Sequence, residues 1–289
     1  MRKGIIIKKA SGEEEVFSEE KLRTSLRKAG VLDSIADQVI EHISREAKEG
    51  MRSSDIHRHV MNLLKREAKG FAARYNLKRA IMDLGPTGHP FEKFVGEILK
   101  ADGYSTQTNK MVQGKCVTHE VDVIAEKDER RIMVECKFHN QPGAKSDVKV
   151  ALYVRSRFED IEAVHRLEKN YIPQFHQAWL VTNTKLTSDA IRFSNCSGMN
   201  AIGWNYPDKG SLQNLIEEFG LHPITCLTTP TQEEKRRLVE HGIVLSKQLE
   251  GSETITAALG ISESRAARMR EEARELLNPQ KGASGSIKK

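Results

Sequence analysis

The segment "HEVDVIAEKDERRIMVECKF" (119–138) constrains the chain most, because it reads as two period-two runs about a charged turn. Strict alternation sends every second side chain to the same face, so it specifies two strands rather than a helix. In the first run Val121, Val123 and Ala125 share one face, with Glu120, Asp122 and Ile124 on the other. In the second, Ile132, Val134, Cys136 and Phe138 oppose Met133, Glu135 and Lys137. Asp122, Glu135 and Lys137 thus stand where the pattern asks for apolar side chains, and on one face if the strands are neighbours. Two carboxylates held together repel, and burying them is costly unless a cation lies between them. A hard divalent ion with oxygen ligands, Mg²⁺ above all, meets that requirement. A lysine two residues on would orient or deprotonate a water. This is equipment for metal-assisted phosphodiester hydrolysis. The D…E-x-K spacing is also short enough to recur by chance, and a surface hairpin with solvated charges accounts for it equally well.

The surrounding grammar divides the chain. "GIIIKK" and "EEVF" predict a small hairpin around Gly12, and Ser18 predicts the N-cap of a helix that ends at Gly30. Helices follow in "DSIADQVIEHISREAKEG", "SSDIHRHVMNLLKREA" and "FAARYNLKRAIMDLG". "GPTGHP" (85–90), with two Gly and two Pro in six residues, is the clearest boundary. Beyond it come a helix in "FEKFVGEILKADGY", strands near 104–109, 118–125 and 131–138, a helix within 145–168, strand "AWLVTNT", helix "SDAIRFSNCSG" and strand "NAIGWNY". Strands alternating with helices predict an α/β core with a mixed sheet covered on both faces. The remainder is helical. Thr231 and Glu234 form a capping box, and "TITAALGISESRAARMREEARELL" reads as helix, glycine-containing hairpin, helix.

At 289 residues, two or three domains are expected rather than one core. The composition, 38% hydrophobic and 30% charged, suits a globular protein, and the net charge of +6 permits a polyanionic partner without requiring one. No apolar run approaches the roughly 20 residues of a membrane span, and no signal-peptide core is present, so a cytoplasmic protein without a membrane partner is expected. Cys116, Cys136, Cys196 and Cys226 form no C-x-x-C pair, which argues against zinc or a disulfide framework.

Across about 88–206 the order of elements, together with "HEVDVIA" and "VECKF", resembles the PD-(D/E)XK nucleases, in particular Mrr-type restriction endonucleases and archaeal Holliday-junction resolvases. Val121 stands where the name-giving proline would be. The resemblance implies that Asp122, Glu135 and the Cys136 carbonyl bind Mg²⁺ or Mn²⁺. Lys137 would position the attacking water, and Glu92 would complete the acidic cluster. For Glu92, a first-turn glutamate favoured by the helix dipole is the plainer reading. Glu97, His119, Glu120 and His139 read as ordinary polar residues. Lys145, Lys149, Arg155 and Arg157 follow on a helix that could track a DNA backbone, or could equally present a solvated face.

Over about 3–84, "IIKKASGEEEVFSEEKL", "SSDIH" and "ARYNLKRA" resemble the ATP-cone, a nucleotide-sensing domain of ribonucleotide reductases and their repressor. By that resemblance Ile7 and Leu22 would contact base or sugar, Lys9 and Lys21 the phosphates, with Ser53, His57 and Arg79 nearby. Ala10 and Ser11 replace the family's usual Arg and Asp. Toward the C-terminus the "LGIS" hairpin resembles a helix-hairpin-helix module, in which Gly260, Ser262, Arg265 and Arg268 would meet DNA phosphates; a plain helical packing module fits equally.

The expected fold class is therefore α/β multidomain: a mainly helical ATP-cone with an N-terminal hairpin (1–86), a restriction-endonuclease-like core with a mixed sheet (88–207), a C-terminal helical module (208–278) and a disordered tail (279–289). The expected function is a Mg²⁺-dependent DNA endonuclease regulated by ATP or dATP, acting as a homo-oligomer. A non-catalytic ATP-sensing DNA-binding regulator and an RNA nuclease are the alternatives.

Overall fold

The computed structural model describes residues 5–9, 12–67, 69–164, 175–250 and 260–277. Contacts divide it into two compact units, Met82–Leu221 and a second unit made of Met1–Ile81 with His222–Lys289.

The N-terminal part of the composite unit opens with the antiparallel pair β1 (Ile6–Lys8) and β2 (Glu14–Val16). The turn between them uses Gly12 at φ +85°, a conformation that favours glycine. Ser18 caps α1 (Glu19–Lys28) through a bond from Lys21 N–H, satisfying one of the unpaired donors of the first turn. Then come α2 (Asp33–Glu46), α3 (Ser53–Glu67), α4 (Lys69–Tyr75) and α5 (Leu77–Met82). Their apolar stripes meet in a core that includes Leu26, Ile43, Val60, Leu64 and Phe71.

The Met82–Leu221 unit is a mixed sheet with helices. After α6 (His89–Ala101) the chain forms β3 (Ser105–Gln113), β4 (Thr118–Lys127) and β5 (Arg130–Lys137) as an antiparallel meander. A two-residue strand, β6 (Lys145–Ser146), precedes α7 (Val148–Glu162). β7 (Gln177–Thr182) and β9 (Asn200–Ile202) extend the sheet in parallel, in the order β3-β4-β5-β7-β9, while β8 (Lys185–Leu186) pairs with β6. α8 (Ser188–Cys196) connects β8 to β9, and α9 (Leu212–Phe219) closes the unit with a capping box at Ser211. Ile124, Met133, Val154, Ile161 and Leu180 are among the core residues.

The C-terminal segment comprises a 3₁₀ turn (Ile224–Cys226), α10 (Gln232–Glu240), a second 3₁₀ turn (Ser246–Leu249) and α11 (Glu263–Leu277). The predicted capping box is present, with Thr231 N–H donating to Glu234 and Glu234 N–H donating to Thr231. This segment packs on the N-terminal helices. α11 lies against α4 so closely that a Cβ on Gly70 would sit 2.8 Å from the Glu275 carbonyl oxygen. Arg74 Nε donates to Leu276 O at 3.0 Å, and Thr225 Oγ1 to Ala80 O at 2.6 Å. The sequence places a helical module at 208–278, whereas residues up to Leu221, α9 included, cluster with the sheet unit. The disordered tail expected at 279–289 and the first helix of the "LGIS" hairpin lie outside the described residues, as do Ala10 and Ser11. No helix among the described residues is long and apolar enough to cross a membrane.

Candidate active site and nucleotide-binding face

Asp122 lies where the sheet loosens on both sides. The β3–β4 register passes from Thr108↔Val123 to Lys110↔Val121, leaving Asn109 opposite Asp122 without a ladder pair. Asn109 takes φ +52°, which asparagine tolerates better than most residues. On the other side the β4–β5 ladder ends at Val123↔Val134, so the same register puts Glu135 opposite Asp122. In place of a ladder bond, Cys136 N–H donates to Asp122 Oδ2 at 2.7 Å. The sheet therefore brings Asp122 and Glu135 to adjacent positions, as the alternation predicts.

Glu92 reaches the cluster from α6. It is 8% exposed, and Asn109 Nδ2 donates to its Oε2 at 2.7 Å, with His89 Nδ1 3.0 Å from the same oxygen. A first-turn glutamate serving only the helix dipole would face solvent; this one faces the sheet. Glu97, by contrast, pairs with Lys100 at 2.7 Å.

The electrostatics are those of crowded carboxylates. The Asp122 carboxyl is pushed up to about 6, chiefly by burial and further by Glu92 and Glu120, against the Cys136 N–H and Arg157. The Glu135 carboxyl is pushed up to about 7, first by burial and then by Asp122. Arg157 and Lys137 oppose that rise. Burial raises the Cys136 thiol as well, leaving it a poor ligand near neutrality. Lys137 is exposed at the end of β5. Among the described residues, no three His, Cys, Asp or Glu side chains stand together as a ready-made metal site.

Several cations sit elsewhere than the helical pattern suggests. Arg157, expected on a solvated or DNA-facing surface, is 8% exposed. Its Nη1 donates to Glu135 Oε2 and its Nη2 to Glu120 O. Lys145 lies on β6 rather than on a helix, because Asp147 caps α7 and starts it at Val148. Arg155 pairs with Glu159 at 2.7 Å and donates to Ser197 O at 3.0 Å. Lys149 is exposed on the first turn of α7. His119 bonds Asp160 at 2.8 Å, and His139 Nε2 lies 3.1 Å from Ser146 Oγ. Asn109 and the inward turn of Arg157 escaped sequence reasoning, since neither residue belongs to a motif.

In the other unit, Lys9 and Lys21 converge on Glu15, at 2.9 and 2.8 Å. Ile7 and Leu22 are buried in the adjoining core. Ser53 begins α3, and His57 stacks on Tyr75 with ring centroids 5.0 Å apart. Burial, then the charge of Arg79, lowers the His57 pKa, so the imidazole is neutral near pH 7. Burial pushes the Tyr75 hydroxyl up to about 12. Tyr75 lies within the "ARYNLKRA" stretch, although the resemblance assigns it no role. At the C-terminal hairpin Gly260 takes φ +62°, but Arg265 is engaged: its Nε and Nη2 donate to the two carboxylate oxygens of Glu234 at 2.6 and 2.7 Å.

Comparison with known proteins matches these parts in order. Residues 5–83 match an ATP cone domain, 85–203 a restriction endonuclease domain, and 222–277 the C-terminal domain described as AF1548-like. An uncharacterized protein of Archaeoglobus fulgidus is 36% identical over 184 residues, 63% of this chain and 99% of that protein. The crystal structure of AF1548, a protein of unknown function, superposes with a TM-score of 0.56 at 34% identity, over 67% of this chain and 100% of its own. Protein VC1899 from Vibrio cholerae reaches a TM-score of only 0.27 at 13% identity, over 78% of this chain and 53% of that one, and supports no argument.

Proposed function

Because the chain belongs to the family of the Archaeoglobus fulgidus protein and carries an ATP-cone followed by a restriction-endonuclease-like domain, we propose that it is a divalent-metal-dependent deoxyribonuclease regulated by ATP or dATP. The observation that carries this reading is the juxtaposition of Asp122 with Glu135 across β4 and β5, next to Lys137.

The residues fit a hard ion. Each half-buried carboxyl is raised by desolvation and by carboxylates around it, so a cation between them would relieve a cost already present. Mg²⁺ is commonly held by one or two carboxylates, with water and substrate oxygens filling its octahedron, and so does not need a third acidic side chain. Asp122, Glu135 and the Cys136 carbonyl would hold Mg²⁺ or Mn²⁺, with Glu92 adding negative charge behind them. A divalent ion held there would supply charge neutralisation and polarisation of the phosphodiester.

The chain's own groups do the rest. The Cys136 N–H orients Asp122, fixing the tripeptide Glu135-Cys136-Lys137 relative to β4. Lys137 holds the attacking water in line with the phosphate and offsets charge on the phosphate oxygens. Lys145 and Lys149 steer the anionic strand toward the site. In the composite unit Lys9 and Lys21 take the nucleotide phosphates and Ile7 and Leu22 the base or sugar, with Ser53, His57 and Arg79 nearby. Gly260 and Arg265 contribute to DNA contact only if Arg265 leaves Glu234. ATP or dATP is proposed to act by changing a homo-oligomeric state.

A non-catalytic ATP-sensing DNA-binding regulator is the second reading, favoured by the pairing of Glu135 with Arg157. The deciding experiment incubates the purified chain with linear, nicked and four-way-junction DNA, and with RNA. Mg²⁺ or Mn²⁺ is supplied, with and without ATP or dATP, and Lys137→Ala is the control. Metal-dependent DNA cleavage lost in the variant supports the proposal. Absence of cleavage with DNA binding unchanged in the variant favours the regulator, and cleavage confined to RNA overturns the assigned substrate.

A further inference from the structure

Arg157 is a buried cation that no motif demands, and it occupies the carboxylate most in need of one. Its guanidinium donates to Glu135 and to the Glu120 carbonyl, binding the ends of β4 and β5 from α7. That arrangement is incomplete. Arg157 Nε is buried without a hydrogen-bond partner among the described residues, and a buried unpaired N–H is costly. A purely structural ion pair would be expected to satisfy the whole planar fork.

The route away from Glu135 is also laid out. Lys149, Tyr153 and Arg157 recur every four residues and so share one face of α7. Lys149 is exposed, Tyr153 is 57% exposed, and Arg157 is buried. The guanidinium carbon lies 5.3 Å from the Tyr153 ring centroid, a cation–π distance. The stripe therefore runs from a solvent-facing cation, past an aromatic ring, to the acidic centre.

We infer that Arg157 is the internal counter-cation of this site: it neutralises Glu135 in the metal-free protein and yields that carboxylate when a divalent cation binds. The released guanidinium stays under Tyr153 and takes a phosphate oxygen of the incoming strand, for which its fork is suited. Metal and DNA then bind with positive coupling, each favouring the same displaced position of Arg157, and the coupling is reciprocal. This inference rests on the metal-site reading proposed above.

The test measures Mn²⁺ binding to the full chain by calorimetry without nucleic acid, so that no turnover is read. Wild type is compared with Arg157→Met, which keeps the apolar stem, and with Glu135→Gln, which assigns uptake to this site. Arg157→Met is expected to bind Mn²⁺ about tenfold tighter or more, the scale set by releasing one charged hydrogen bond. A residue that merely scaffolds the ligands would give the opposite sign. Equal or weaker Mn²⁺ binding by folded Arg157→Met, with wild-type uptake lost in Glu135→Gln, overturns the inference and leaves the metal site standing. No uptake by wild type or Arg157→Met overturns the metal site and the inference together. Should Arg157→Met not fold, Tyr153→Trp reports on the native arginine. Saturating Mg²⁺ is expected to shift the added indole's emission above the Trp179 and Trp204 background, and an unchanged spectrum at saturation overturns the displacement.

Discussion

Cys136 donates its backbone N–H to the carboxylate of Asp122 at 2.7 Å, at the level where β4 and β5 have stopped exchanging ladder bonds. One side chain thus replaces a main-chain bond and, in doing so, orients the residues on either side of Cys136. The oxygen that makes this bond belongs to a carboxyl raised by burial to about 6. Structure and charge oppose each other at this position, which gives the first expectation.

Asp122→Asn keeps an acceptor for the Cys136 N–H but removes the half-buried charge. A carboxyl held at about 6 when folded, against about 4 when unfolded, favours the folded state fully below pH 4. That contribution is lost as pH rises through 6. In chelator at pH 8, Asp122→Asn is therefore expected to be more stable than wild type by about 1–3 kcal/mol. The gap should close toward pH 4. Denaturant melts at the two pH values check this, and a less stable variant at pH 8 would contradict it.

Glu15 holds both lysines expected to meet a triphosphate, Lys9 at 2.9 Å and Lys21 at 2.8 Å. A nucleotide must compete with that carboxylate. Glu15→Gln is expected to tighten ATP binding by about two- to fivefold, the scale of partly exposed ion pairs. Calorimetry on the full chain measures it, and weaker binding would show that Glu15 organises the lysines instead of occupying them.

Gly70 permits the approach of α4 to α11, since a Cβ there would lie 2.8 Å from the Glu275 carbonyl oxygen. Backbone cannot yield as a flexible side-chain end can. Gly70→Ala is expected to cost about 1–3 kcal/mol of stability by overpacking. Thermal unfolding reads the loss, and a melting temperature equal to wild type would mean that the two helices separate freely.

Glu234 is pulled down to about 2 mainly by Arg265, helped by the Thr231 N–H. The depressed carboxyl contributes stability above its unfolded value near 4.5, and loses it as pH falls toward 2. The Arg265–Glu234 pair is only partly buried, so solvent screening keeps the effect small. Arg265→Ala is expected to flatten the acid limb of the stability curve between about pH 5 and 2. An unchanged limb would remove the ion pair from the acid response.

The sequence by itself determined what depends on local periodicity and on residues near in number. Period-two alternation is enough to put Asp122 on one face of its strand and Glu135 with Lys137 on one face of the next, while the β4–β5 register sets Asp122 level with Glu135. Ser18 and Thr231 announce their helices through bonds spanning three residues. Tertiary structure alone decided the encounters between remote segments. Arg157 shares a helical pattern with solvated cations, and only the packing of α7 against the sheet turns it onto Glu135. Asn109 lies in an ordinary polar strand until its backbone turns left-handed opposite Asp122 and its amide reaches Glu92. The C-terminal helices carry no local sign that α11 will lie on α4, because that contact needs a glycine on one helix and a carbonyl some two hundred residues away. Hydrogen-bonding period and capping are encoded over a few residues. The choice of partner for a buried charge is made only when the chain closes around it.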